Sequence, residues 1–432
     1  MRKPVHMNGY RCFACSADQA ADYAGFECPS CGGNLEVTYD YAAAAEELAG
    51  GFGESPHDLF RYQALLPVER LSSPFPLRIG RTPLCHASRL GQQAGLTRLY
   101  LKDDSRNPSA SLKDRASAVT LCRAMDIGAK VVSVASTGNA GSSLACVCAA
   151  LGMKAVVFVP ESAPAAKLTQ LLSYGARVLA VRGSYDDAFD LCLAASKEFG
   201  WFNRSNGFNP FTREGKKTCA FEIWEDLGGE VPDRVVVPSG DGNILSGIWK
   251  GWRDLKAVGL IDRLPKIDCA QSAASAAICQ TVHRLRDSSH PVEDWSKVSM
   301  ETVQASTIAD SISVDQPRDG LAAIRAVIES GGQAVTVPDS QILTALGEIS
   351  RLSGVFPEPA AATPWAAVKQ MADDKLIDRD ERVVCLVTGS GLKDAARARQ
   401  AAGEPMIIEP SLDAVREYLI GPGHARVSPQ PS

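Results

Sequence analysis

Lys113 sits in the stretch Asn107-Pro-Ser-Ala-Ser-Leu-Lys-Asp-Arg115. Residues 98–102 just upstream read as a short buried strand, and residues 114–127 just downstream as a helix with one apolar stripe. The lysine therefore falls at a loop-to-helix junction, where unpaired backbone N–H groups and the positive end of the helix dipole gather. An amine held there beside other cations loses affinity for its proton and becomes an imine-forming nucleophile. The plainer alternative is a solvated lysine that opens a helix. Three further stretches weigh against it.

The first is the strand 131–135 running into Ser136-Thr-Gly-Asn-Ala-Gly-Ser142 and then a helix. A small-residue turn at a helix start is an anion site, because its N–H groups point outward and glycine permits close approach. Hydroxyls and N–H groups there suit a carboxylate, and the Asn139 amide suits a ring hydroxyl or phenolate. A glycine-containing turn with no ligand is the alternative. The second stretch is Ser239-Gly-Asp-Gly-Asn-Ile244, again between a strand and a helix. Gly240, Asp241, Gly242 and Asn243 make a cradle for one small phosphate. It is no Walker loop, since no Gly-Lys-Ser/Thr follows, and Gly247 falls too late for the dinucleotide fingerprint. The third is Thr388-Gly-Ser-Gly-Leu-Lys-Asp394. Thr388, at a strand's carboxyl end, can offer its hydroxyl to a heterocyclic nitrogen and leave that nitrogen unprotonated, which favours chemistry at Cβ and Cγ.

One small cofactor, pyridoxal phosphate, needs all four features: an amine for its aldehyde, a partner for its phenolate, a nest for its phosphate and a group at its ring nitrogen. The chain resembles the fold-type II pyridoxal-phosphate enzymes, and within them the threonine synthases. The family's Asn-Pro-Thr-Gly-Ser-Phe-Lys-Asp-Arg is similar to 107–115, its Ser-Gly-Asn-Ala-Gly to 137–141 with the preceding serine, and its glycine-rich phosphate loop to 240–243. Its Thr-Gly-x-Gly-Leu-Lys-Asp is similar to 388–394. Residues 206–218 and Glu358-Pro-Ala-Ala-Ala362 extend the likeness over most of 75–395. The resemblance implies that Lys113 forms the imine and moves protons, that Asn139 binds the phenolate oxygen, and that Thr388 faces the pyridine nitrogen. Residues 240–243 would take the cofactor phosphate, and Ser136 and Thr137 the substrate carboxylate. It further implies conversion of O-phospho-L-homoserine and water to L-threonine and phosphate, with Asn206, Arg213 and Lys217 at the substrate. Two positions depart from the family, which has Ser and Arg where this chain has Gly207 and Thr212. A related dehydratase or β-replacement synthase, or a non-catalytic sensor on the same scaffold, stays open beside this reading.

Cys12-Phe-Ala-Cys15 and Cys28-Pro-Ser-Cys31-Gly-Gly are two Cys-x-x-Cys knuckles. Four thiolates at this spacing suit a tetrahedral structural zinc with no open position for catalysis. A redox dithiol and a metal-free ribbon are the rivals. The six histidines are scattered without ligand spacing.

From residue 98 onward, Val/Ile/Leu-rich runs at 130–135, 155–160, 177–182, 234–238, 267–270, 334–337 and 383–387 alternate with amphipathic segments such as 166–174, 187–199 and 341–352. Strands apolar on both faces and separated by helices predict an α/β fold of the tryptophan synthase β type: two open, mostly parallel twisted sheets facing a cleft. We expect a four-cysteine, zinc-ribbon-like module over 1–40, a catalytic region of two α/β subdomains over 41–395, and an extension over 396–432 with one short helix and a frayed Pro/Ser end. A length of 432 residues allows that much core. The net charge of −5 gives no reason to expect nucleic acid or an anionic membrane as partner, and no apolar run approaches a bilayer's width. A small amino-acid substrate, a reducing cytoplasm and, by resemblance, a homodimer complete the expectation.

Overall fold

The computed structural model describes residues 4, 6–69, 71, 74–288 and 292–420. The paired cysteine knuckles lie on and beside a small antiparallel sheet of β1 (Met7–Cys12), β2 (Asp18–Ala20) and β3 (Leu35–Tyr39), in the order β2-β1-β3. Next come β4 (Leu84–His86) and β5 (Arg98–Asp103), then β6 (Val131–Ala135), β7 (Lys154–Pro160), β8 (Arg177–Val181) and β9 (Phe202–Asn203). The last group is β10 (Arg234–Pro238), β11 (Lys266–Ser272), β12 (Ala334–Val337) and β13 (Arg382–Val387).

Two parallel sheets result. One has four strands in the order β8-β7-β6-β9, and the other six, β12-β11-β10-β13-β5-β4. Only β4 in the larger sheet runs antiparallel to its neighbour. The reason lies in the residues. β10 is buried at every position and β7 at five of seven, so both faces need helices over them and the crossovers must be helical. Alanine and glycine let those helices pack tightly: a Cβ on Gly251 would lie 2.5 Å from the Lys217 carbonyl of the facing helix.

The sheets divide the chain differently from its linear order. β5 pairs with β13, nearly 300 residues later, so the segment leading to Lys113 starts on the larger sheet, while the helix Lys113–Asp126 packs on Asn139–Leu151 of the smaller one. The loop before Lys113 is stitched to the end of β13. Leu112 N–H donates to the Thr388 carbonyl at 2.9 Å, and Ser390 N–H to the Ala110 carbonyl at 3.1 Å. Both sheets therefore present the carboxyl ends of β5, β6, β9, β10 and β13 to one cleft, where ligands of open α/β folds bind.

Cys122, Cys146, Cys148, Cys192, Cys219 and Cys385 are all buried in helices or strands, as expected of small core residues. A short helix, Leu412–Ile420, follows the catalytic region; the frayed end expected after it lies outside the described residues. Among those residues no helix is long and apolar enough to cross a membrane.

Candidate active site

A cavity of about 780 Å³ opens between the two sheets. Lys113, the turn 136–139, Asn206 and the loop 240–243 all line it. Residues from β5's loop, β6, β9 and β10 thus meet in space although some 130 positions separate the first from the last.

Lys113 is the first residue of its helix, following Leu112 in helical geometry. Its amine forms no ion pair with a described residue. Burial pushes its proton affinity down to about 8, and the Arg204 guanidinium pushes the same way; Asp241 and Glu358 only partly oppose them. Such an amine keeps a neutral fraction near physiological pH far larger than an ordinary lysine's, and that fraction is available as a nucleophile or base.

Ser136 and Thr137 face the cavity, and the Ser136 hydroxyl accepts from Gly138 N–H at 3.2 Å, which shapes the turn. Asn139 begins the next helix. Its Nδ2 donates to the Glu358 carboxylate at 2.9 and 3.1 Å, so the amide is held by a residue from the opposite subdomain. At the loop after β10, Gly242 has φ +89°, and a Cβ on it would come 2.8 Å from the Asp319 carbonyl. A Cβ on Gly240 would lie 2.7 Å from Ile312 Cα. Only glycine fits at either place. The N–H groups of 240–243 find no backbone acceptor among the described residues and open onto the cavity at the start of the helix Asn243–Ala257. This cradle fits a phosphate. Asp241 in the same loop spends one carboxylate oxygen on Arg318 N–H at 2.7 Å, and burial raises its proton affinity. Thr388 is buried and is not among the residues lining the cavity; its carbonyl accepts from Leu112 N–H, next to Lys113 in the chain.

Two expected substrate contacts are not brought to the cavity. Arg213 is fully buried, with Nη2 on Asp319 Oδ1 at 2.5 Å and Nη1 on the Leu35 carbonyl at 3.0 Å. Lys217 is equally buried between Glu214 at 2.5 Å and Asp254 at 2.7 Å. Their helix, Phe211–Asp226, is buried on almost every side, so these charged residues are neutralised inside the protein instead of pointing at a ligand. Lys216, which the sequence places among the cations near the substrate, and Arg204, which sequence reasoning missed, both lie behind the lining and reach it through Asn206 Oδ1, at 3.0 and 3.3 Å. Sequence reasoning also missed Asp319, whose carboxylate bonds Asn243, Ser246 and Arg213 and which no local spacing marks. Gly207 has φ +71°, and a Cβ there would lie 2.6 Å from Arg318 Cβ, so the space of a side chain is taken by the segment carrying a cavity-lining arginine.

Away from the cleft, the sulfurs of Cys12, Cys15, Cys28 and Cys31 lie within 4.8 Å of one another, with separations of 3.4, 3.5 and 3.6 Å among them. Metal–sulfur bonds of about 2.3 Å in a tetrahedron space the sulfurs by about 3.8 Å, so the donor set fits one such ion with a small expansion.

The comparisons with known proteins agree with this geometry. Residues 76–389 match the family described as pyridoxal-phosphate dependent enzymes. The threonine synthase of Methanocaldococcus jannaschii is 37% identical over 95% of this chain and 98% of its own length. The chain belongs to the pyridoxal-phosphate dependent enzymes, in the threonine synthase branch. The threonine synthase of Methanosarcina acetivorans is 35% identical over 95% of this chain and 98% of its own length, and that of Mycobacterium tuberculosis 34% over 78% and 89%. Among solved structures, threonine deaminase isoform 2 from Solanum lycopersicum superposes with a TM-score of 0.61 at 19% identity, covering 75% of this chain and 88% of its own. Diaminopropionate ammonia lyase from Escherichia coli does so with 0.63 at 15%, covering 88% and 94%. These two show the shared fold.

Proposed function

We propose that this pyridoxal-phosphate enzyme makes L-threonine and phosphate from O-phospho-L-homoserine and water, with Lys113 at its centre. The observation that carries the reading is the meeting, in one cavity, of a lysine of lowered proton affinity with a glycine cradle for a phosphate, in a chain that matches threonine synthases nearly end to end. When bound, pyridoxal phosphate supplies an aldehyde that takes up amines and a ring that draws electrons from the substrate's Cα.

The chain's own residues do the rest. The N–H groups of 240–243 and the helix behind them hold the cofactor phosphate. Thr388 meets the ring nitrogen, and Asn139, kept in place by Glu358, meets the phenolate oxygen. Ser136 and Thr137 hold the substrate carboxylate, fixing the amino acid so that Cα and Cβ lie beside Lys113. Lys113 Nζ would take protons from Cα and Cβ; as the γ-phosphate leaves with the Cγ–O bond, protons would go back to Cγ and Cα, and water would add its hydroxyl at Cβ. The cysteine cluster would hold a structural zinc, because four sulfurs brought together would fill a tetrahedral ion's positions and leave none for water. The placement of this site between two sheets of one chain fits an amino-acid-sized substrate.

The test supplies the purified yellow protein with O-phospho-L-homoserine and measures threonine and inorganic phosphate. Equal release of both is expected. A visible band that shifts with other amino acids, without release from this substrate, would instead favour a dehydratase or β-replacement enzyme.

A further inference from the structure

A second cavity, of about 370 Å³, shares no lining residue with the cleft between the sheets. Its walls carry both signs of charge. Arg61, Arg78 and Arg81 line it together with Glu54, Glu225, Asp226 and the buried Glu222.

Some of these charges answer one another. Arg61 sits 2.9 Å from Glu225, which also accepts from the Tyr62 hydroxyl. Glu222 meets Arg115 at 2.6 Å and Lys102 at 3.0 Å. Asp226 takes Lys102 on Oδ2 at 2.8 Å, and its Oδ1 accepts from no described residue. The arginines at 78 and 81 are left over. Arg78 forms no hydrogen bond or ion pair with a described residue. The Arg81 guanidinium has only long contacts, 3.5 Å to His57 and 3.3 Å to Glu54, whose side chain is 85% exposed. A pair so exposed contributes little.

Arg81 is also held in a conformation that its residue type disfavours. It has φ +49°, in the left-handed region where a Cβ crowds the following carbonyl. The cause is Glu222. Arg81 N–H donates to its Oε1 at 2.7 Å and Thr82 N–H to its Oε2 at 3.3 Å, so the turn wraps the carboxylate. Such a turn asks for glycine, and has one at Gly80, where a Cβ would lie 2.5 Å from Glu222 Oε1. At 81 the chain instead tolerates the strain and places a guanidinium in the cavity.

The mixture of charges selects the ligand. A simple anion drawn to Arg78 and Arg81 would also meet the carboxylates of Glu54, Glu225 and Asp226. A simple cation would meet the arginines. A molecule that carries both signs a few ångströms apart satisfies the two sets together. A free α-amino acid is such a molecule: its carboxylate suits two-point contact with a guanidinium, and its ammonium suits Asp226 Oδ1 and Glu54. The volume lies at the low end for ligand pockets, as a ligand of that size requires.

The inner wall of this cavity is also the back of the Lys113 stretch. Glu222 Oε1, besides the Arg81 N–H, takes Arg115 Nη1 at 2.6 Å, two residues past Lys113. Gly80 N–H donates to Asn107 Oδ1 at 2.9 Å, at the other end of that stretch. The turn 80–82 therefore touches both ends of residues 107–115, and a ligand that draws the Arg81 side chain pulls on that turn.

We propose that this cavity binds a free α-amino acid, its carboxylate on Arg78 and Arg81 and its ammonium on Asp226 and Glu54, and that occupancy repositions the stretch carrying Lys113. Nothing in this depends on which substrate the enzyme converts.

The test uses holoenzyme in which borohydride has reduced the imine at Lys113 to a stable amine, so that added amino acids cannot exchange with it. The reduced cofactor fluoresces and reports on the surroundings of Lys113. The probes are the common L-amino acids one at a time, with acetate and ethylammonium as carriers of a single charge. Binding is followed by calorimetry and by that fluorescence in the parent, Arg78→Ala and Arg81→Gly. We expect at least one amino acid to bind once per chain with Kd below about 1 mM and to change the fluorescence. Acetate and ethylammonium should bind at least about tenfold more weakly. Arg78→Ala and Arg81→Gly should each weaken binding by about 10- to 100-fold, the range of one lost charge-assisted hydrogen bond. Arg81→Gly should also unfold at a urea concentration no lower than the parent's, because glycine accepts φ +49° freely, so lost binding there is not lost fold. The proposal is overturned if no amino acid binds this tightly. It is overturned as well if binding is unchanged in both variants, which would put the amino acid in the main cleft. Acetate bound as tightly as the best amino acid would make this an anion site and discard the amino-acid assignment. Binding that needs Arg78 and Arg81 but leaves the fluorescence unchanged would sink the link to Lys113.

Discussion

Arg213 Nη2 lies 2.5 Å from Asp319 Oδ1, and that one carboxylate joins the cysteine module to the phosphate loop. Its Oδ2 accepts from Asn243 Nδ2 at 2.8 Å and from Ser246 Oγ at 2.7 Å, both at the start of the helix behind the cradle. On the other side, Asn34 Nδ2, three residues past Cys31, reaches Oδ1 at 3.2 Å, and Arg213 itself holds the Leu35 carbonyl and covers the Phe13 ring at 4.4 Å. Phe13 follows Cys12. The loop that would hold the cofactor phosphate therefore takes its position partly from residues beside the cysteine cluster.

Removing Arg213 should accordingly harm the fold and the cofactor site together. Arg213→Met leaves a buried carboxylate without its cation, a loss of about 3–5 kcal/mol in unfolding free energy. Weaker binding of pyridoxal phosphate is expected alongside it. Urea unfolding of the cofactor-free protein and a pyridoxal phosphate titration check both. A variant of unchanged stability and cofactor affinity but raised KM would return Arg213 to the substrate, against the burial described above.

The same connection predicts the effect of stripping the metal. We expect one zinc per chain by elemental analysis, lost on treatment with a strong chelator or in Cys31→Ser. Its loss frees β1 and β3 to shift and loosens Asn34 and Phe13 from Asp319. Affinity for pyridoxal phosphate, read from protein fluorescence, should then fall and return when zinc is restored. Asn34→Ala should reproduce part of that fall with zinc still bound. An unchanged affinity in the stripped protein would mean that the carboxylate is positioned by Arg213 alone.

How much of this was legible in the sequence depended on distance along the chain. β6, β7, β10 and β13 announce themselves as apolar runs, and the turns after them carry glycine and small polar residues that local physics singles out. The pairing of β5 with β13 does not, because a strand's neighbours are chosen by sheet closure and not by its own residues. Charged side chains were the harder case. Arg213 and Lys217 look alike in sequence to Lys216, within four places of one another on one helix, yet the first two meet Asp319 and Asp254 while the third meets only amide oxygens. Those partners lie 10 to 106 residues away, and only the folded packing distinguishes a neutralised cation from one held in reserve.

Lys113 gives a prediction with a defined sign. Its ordinary value is 10.5, and in the folded protein it stands at about 8. Between these values the unfolded chain holds the proton and the folded chain has released it, so this residue makes stability rise with pH across that window. Below about pH 8 the cost of burying the charge is fully present. Lys113→Ala should abolish the visible band and turnover while the cofactor-free protein still folds. Comparing its urea stability with the parent's from about pH 7 to 10.5, the gap in favour of the variant should narrow as pH rises. A parallel pair of curves would show that Lys113 is not desolvated in the folded state, and a variant that stayed yellow would remove Lys113 from the cofactor.

Gly207 offers a test of why the chain departs from a serine there. Gly200 and Gly207 share left-handed backbone, φ +65° and +71°, but a Cβ at Gly200 meets nothing within 4 Å whereas one at Gly207 meets Arg318 at 2.6 Å. Gly200→Ala should therefore lose only the backbone term, about 1–2 kcal/mol. Gly207→Ala should lose that and more, because Arg318 Cβ and backbone must move away, and Arg318 N–H is bonded to Asp241 in the phosphate loop. The second variant should thus bind pyridoxal phosphate more weakly and the first should not. Thermal unfolding and cofactor titration of the pair separate strain from crowding. Equal losses in both would show that the 310–318 segment yields freely, and that glycine at 207 answers only to its backbone angle.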